Sequence, residues 1–94
     1  MSLIETYNNY TMEHFHPSRK DNRSRGQRAG MYTALAVIKA SKDAYSAIVC
    51  IKSLQDCLYL EMCETDDPNN YNRGIYDEYE IAIKIIRQWI EQNQ

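Results

Sequence analysis

The sequence predicts an all-α fold: a three-helix bundle or hairpin with a short N-terminal helix or arm, oligomeric, in one domain over residues 1–94. Three observations carry this. Only 3 Gly and 2 Pro occur in 94 residues, and both residue types disfavour helix interiors. Apolar residues recur at i, i+3, i+4 and i+7 in the segments bounded by those residues. A chain this small buries only roughly 60–70% of its surface on folding, so assembly is a common route to further burial.

The elements follow in order. Leu3, Tyr7, Tyr10 and His14 share a face of a short helix over residues 2–14, and Pro17 ends any helix here. Residues 15–22 read as a loop, with Asp21 or Asn22 as N-cap of the next helix. That helix runs from about Arg23 to Ala40 on a stripe of Met31, Ala34, Leu35 and Ile38. Gly26 and Gly30, one turn apart, predict a close backbone approach by a helix or a ligand, or else a frayed first turn. A third helix is expected after a turn at residues 40–42, with Ser41 as N-cap and Asp43 in the first turn. Its core stripe is Ala44, Ala47, Ile48, Ile51, Leu54, Gln55, Leu58 and Met62. Residues 64–74 are dense in turn formers and read as a loop. The last helix is expected from about Ile75 to Asn93, striped by Ile75, Tyr79, Ala82, Ile83, Ile86 and Ile90. Ile81, Ile85 and Trp89 widen that stripe, and this width predicts a subunit contact beside the domain core.

The net charge of −2 and an isoelectric point near 5.6 argue against a general nucleic-acid binder. Charge is nevertheless segregated: Arg19, Lys20, Arg23, Arg25 and Arg28 oppose only Glu13 and Asp21, whereas eight acids between Asp56 and Glu80 face the single cation Arg73. No stretch approaches the ~20 apolar residues of a membrane span. The start Met1-Ser2-Leu3-Ile4-Glu5 lacks the charged and apolar regions of a secretory signal. Three cysteines without framework spacing suit a reducing, cytoplasmic setting. Cys50 and Cys57, seven apart, read as small buried hydrophobes.

No hydrolase, P-loop or zinc-peptidase motif occurs, and the chain is expected to be no enzyme and to hold no metal or cofactor. His14-x-His16 lacks the companions of a zinc site, and Glu78-x-Glu80 directs its carboxylates to different faces. The segment from Glu13 to Arg28 is the best candidate for a ligand. Arginine forks match phosphate oxygens, and a helix start attracts anions. Tyr10, His16, Arg19, Lys20, Arg23, Arg25 and Arg28 are the expected ligand-binding residues for a phosphate-bearing nucleotide, with Tyr10 or Phe15 stacking on a base. The same charges also fit a solvated loop pairing with the acidic Asp66-Asp67 segment. Two further readings stand beside this one: a small helical inhibitor or scaffold acting on a protein partner, and a nucleic-acid-binding module.

Phe15, His16, Pro17, Asp21 and Arg25 form an aromatic, a His-Pro, an acid five residues after the histidine and an arginine four beyond it. Ser41, Asp43, Ala47, Ile48 and Ile51 follow at the offsets of a second helix. Over residues 15–55 this pattern resembles the phage anti-CBASS sponge proteins, which share a helical hairpin with certain anti-Thoeris sponges. Lys39-Ala40 stands where that family has Cys-Pro, its Trp-Ala-Asn stretch is absent, and the helix between the two motifs is shorter. A further C-terminal helix is also expected here. The resemblance implies a homo-oligomer such as a hexamer. It would sequester cyclic oligonucleotide signals without cleaving them, as an anti-defence protein in the host cell cytoplasm.

Overall fold

The computed structural model describes residues 1–14, 20–63 and 70–93, the side chains of Met62 and Cys63 excepted. Among them lie four α-helices and no strand: α1 (Leu3–His14), α2 (Asn22–Ala40), α3 (Ala44–Cys63) and α4 (Tyr71–Gln92). The all-helical class is as expected, but the count is four. The N-terminal segment is no loose arm, because Tyr7 is fully buried in the core that the other helices form.

Each helix start is set by a local side chain. Ser2 and Glu5 make a reciprocal capping pair: the Glu5 amide donates to Ser2 Oγ at 3.2 Å, and Ser2 Oγ donates to Glu5 Oε1 at 3.0 Å. Asp21 caps α2 by accepting from the Ser24 amide at 3.2 Å. Asp43, not Ser41, caps α3, accepting from the Ser46 amide at 2.8 Å. That bond holds the Asp43 carboxyl below its ordinary pKa. Ser41 closes α2 instead, its amide and hydroxyl both donating to the Val37 carbonyl, at 2.9 and 2.6 Å. Asn70 caps α4 through the Arg73 amide at 3.1 Å. The last helix therefore begins a turn before the expected Ile75, and Gly74 lies inside it rather than in a loop.

Helix α4 touches each of the other three. Its closest neighbour is α2. A β-carbon added to Gly26 would overlap the carbonyl oxygen of Tyr71, and one added to Gly74 would overlap that of Arg23. Gly30 would place its β-carbon 3.1 Å from Cβ of Glu78. The facing positions advance together, so α2 and α4 run parallel, backbone against backbone. The approach predicted by Gly26 and Gly30 is thus made by a helix. Helices α1 and α3 run antiparallel to α4, as shown by Tyr7 meeting Glu78 while Met1 meets Trp89, and by Gln55 meeting Glu80 while Glu61 meets Asn72. The core collects Tyr7, Met31, Ala34, Ile38, Ala44, Ala47, Ile51, Tyr79, Ala82, Ile83 and Ile86. Among the described residues, no helix is long and apolar enough to cross a membrane.

Candidate functional site: the outer face of the third helix

The cationic segment does not converge. Arg23 Nη2 donates to Asp77 Oδ2 at 2.5 Å, and the same carboxylate lies 3.7 Å from Arg73 Nε. Arg25 is exposed and Arg28 half-buried. On a helix, positions 23 and 25 diverge by about 160° and positions 23 and 28 by about 140°. One pocket cannot therefore be built from all three. Lys20 is exposed beside the cap. Tyr10 is half-buried and stacks on the His14 ring, centroids 4.2 Å apart, rather than offering an open face. His16 and Arg19 lie outside the described residues, as do Phe15 and the acidic Asp66-Asp67 segment. A cleft of about 410 Å³ opens among Leu3, Ile4, Ile38, Ala44 and Trp89, but Lys39 is the one cation lining it. It offers none of the arginine forks expected for a phosphate. Among the described residues, no group of three or more His, Cys, Asp or Glu is placed to hold a metal ion.

The wide face of the last helix is largely consumed within the chain. Ile85 and Trp89 are half-buried and pack on the core, Ile81 is half-buried, and the Trp89 indole donates to the Met1 carbonyl at 3.0 Å. At Trp89 part of that face is occupied by Met1, which leads into α1.

Two polar ties, the first buried and the second partly buried, fix α1 and α3 on α4. The Tyr7 hydroxyl donates to Glu78 Oε1 at 2.7 Å, with both side chains buried. Burial pushes the Glu78 carboxyl above its ordinary pKa, against the opposing pull of the Tyr7 hydrogen bond and of a charged His14. Burial also raises the Tyr7 phenol, assisted by the nearby Glu78 charge. On the opposite side of α4, Gln55 is fully buried. Its Nε2 donates to Glu80 Oε2 at 2.6 Å and to the Tyr76 carbonyl at 3.4 Å, while its Oε1 accepts from Lys52 Nζ at 3.3 Å. Glu78 and Glu80 thus serve two different helices, and neither forms a paired-carboxylate centre. Replacing Gln55 by Ala is expected to destabilise the protein by about 2 kcal/mol, because it leaves a cavity and strips Glu80 and Tyr76 of a buried donor. Urea denaturation checks this; a change below about 0.5 kcal/mol would show the tie to be dispensable.

Helix α3 is apolar on two sides. Its inner side, Ala44, Ala47, Ile51, Leu54 and Leu58, packs on the core. Its outer side carries Tyr45, Val49 and Leu60, exposed by 61, 66 and 74%. Tyr59 stands on the same side, leaning on Tyr76 with ring centroids 6.4 Å apart. Cys50 and Cys57 are exposed on the flank of this face, not buried as their spacing suggested. An apolar helix face is ordinarily covered by another element. Here α4 covers the inner face of α3, and the outer one is left exposed. Lys52 and Asp56 lie between the apolar residues, 3.4 Å apart as an i,i+4 pair. The outer residues Tyr45, Val49, Lys52, Asp56 and Tyr59 follow a 4-3-4-3 spacing, which was visible in the sequence alone. The stronger inner stripe of the same helix, and the two central charges, masked it.

No protein-family model, curated protein or solved structure matches the chain.

Proposed function

We propose that this chain is a non-enzymatic helical interaction protein, which works by seating a partner helix along the outer face of α3. One observation carries the reading: a helix already committed to the core on one side leaves Tyr45, Val49 and Leu60 more than 60% exposed on the other. Large aliphatic and aromatic side chains gathered on one helix face are what protein contacts use, and the 4-3-4-3 spacing is the seam that a second helix fits. Capture of a cyclic nucleotide has less support, because the cation nearest the helix start, Arg23, is held by Asp77 and the other arginines of α2 point away from it.

A photo-crosslinking amino acid placed at Val49 tests this, with the same group at exposed Lys84 of α4 as control. Discrete adducts from position 49, in purified protein or in lysate, are expected to exceed those from position 84. Equal or absent crosslinking at the two positions would overturn the reading.

A further inference from the structure

We infer that the helix seated on α3 is the α3 of a second copy of this chain, running antiparallel about a two-fold axis level with residue 54, so that each Lys52 meets the Asp56 of the other copy. This rests on the reading of α3 as a contact face and names its partner.

Register names the partner. In an antiparallel pair, residues equally distant from the centre face each other. Lys52 and Asp56 are equidistant from residue 54, and so are Val49 and Tyr59. One arrangement therefore sets one pair of opposite charges together twice and one apolar pair together twice. Leu60, the most exposed residue of the face at 74%, then reaches the Tyr45 end of the other copy. The alternatives fail on the same residues. A parallel, in-register pair sets Lys52 against Lys52 and Asp56 against Asp56. Antiparallel pairs slid half a heptad either way set Asp56 against Tyr45 or Tyr59. Polar residues within an apolar seam characteristically select register and orientation in this manner, and like charges set opposite each other oppose the wrong arrangements. The contact is isologous and closes at two copies. Lys52 and Asp56 are 54 and 67% exposed in the single chain, so their intrachain pairing is worth little and both remain available to the other copy.

The seam covers about two heptads, short for a two-stranded coil, so association is expected at dissociation constants on the order of tens of micromolar. Sedimentation equilibrium of the whole chain tests the register. The wild-type protein is expected to dimerise. Lys52→Glu alone and Asp56→Lys alone each set like charges together twice and are expected to weaken dimerisation by about tenfold or more. Mixed one to one, the two single variants are expected to recover wild-type affinity as a heterodimer, and the double variant Lys52→Glu/Asp56→Lys to recover it as a homodimer. Both positions are on the surface, and an unchanged helical circular dichroism signal confirms that each variant folds.

A wild-type chain still monomeric at roughly 500 μM, far above that dissociation constant, would overturn the inference. Single variants that dimerise like wild type would do so too, as would a mixture that fails to recover. If the purified chain is monomeric while the probe at Val49 captures a different protein, self-pairing falls and the contact face stands. If the probe captures nothing, both fall.

Discussion

Gly26→Ala and Gly74→Ala are each expected to destabilise the protein by about 3 kcal/mol or more, lowering the melting temperature by more than about 10 °C. A new β-carbon at either position would overlap a backbone carbonyl oxygen of the facing helix, that of Tyr71 or of Arg23. A carbonyl in a helix cannot rotate aside as a side chain can, so α2 and α4 must separate along their closest approach. That separation would also loosen the Arg23–Asp77 ion pair and the packing of Glu78 against Gly30. Gly30→Ala is the internal control. Its β-carbon would come to 3.1 Å from Glu78 Cβ and 3.2 Å from the Ile75 carbonyl, which is tight but short of overlap. The roughly 1 kcal/mol gained in helix propensity offsets much of that strain, so the net change is expected to stay within about 1 kcal/mol. Thermal and urea unfolding of the three variants settle the ranking. A Gly26→Ala protein as stable as Gly30→Ala would mean that the helices do not meet backbone to backbone.

The second large effect belongs to Tyr7 and Glu78. Tyr7→Ala is expected to lose about 4 kcal/mol, since it empties a fully buried aromatic site. Tyr7→Phe keeps the ring but removes the hydroxyl that Glu78 accepts, and is expected to lose about 2 kcal/mol. Glu78→Gln is expected to act in the opposite direction at neutral pH. The Gln oxygen still accepts from Tyr7, and no charge has to be buried. The sign follows from linkage. Burial raises the Glu78 carboxyl in the folded protein, so the folded state holds its proton at pH values where the unfolded chain has released it. The stability contributed by Glu78 is fully present below the ordinary pKa of 4.5 and is lost as pH rises through the raised value. The advantage of Glu78→Gln over wild type is therefore expected to be absent near pH 4 and to grow toward pH 7. Taking the difference between two proteins at each pH cancels the titration of the other carboxylates. An advantage of equal size at pH 4 and pH 7 would show that Glu78 ionises in the folded protein as it does in the unfolded chain.

Periodicity made the helices legible because burial of one face imposes a 3.6-residue repeat on the residues themselves. The stripes Met31-Ala34-Ile38 and Tyr79-Ala82-Ile83-Ile86 were readable for that reason, and they are the core. Caps were less legible where two candidates stood close together. Ser41 and Asp43 can each cap a helix, and only the path of the chain shows that the first ends α2 and the second begins α3. Gly74 reads as part of a loop in a turn-rich segment, because nothing local reveals that Arg23, 51 residues earlier, will press its carbonyl against it. The candidate site was harder still. Tyr45, Val49 and Leu60 are ordinary apolar residues in an apolar helix, and Cys50 and Cys57 have core spacing. Whether such residues are inside or outside depends on where α4 lies. Arg23 reads as part of a phosphate clamp until Asp77 is brought beside it from another helix.

The sequence by itself determined that the chain is helical, roughly where its helices run and which stripe of each is apolar, since those properties are written in nearest-neighbour spacing. Tertiary structure alone decided which of two apolar faces is covered, which cations meet carboxylates and which glycines carry a helix crossing. These depend on pairings between residues far apart in the chain, and the physical reason is burial: α4 runs through the middle of the bundle, satisfies its own wide face with α1, α2 and α3, and leaves the far side of α3 exposed.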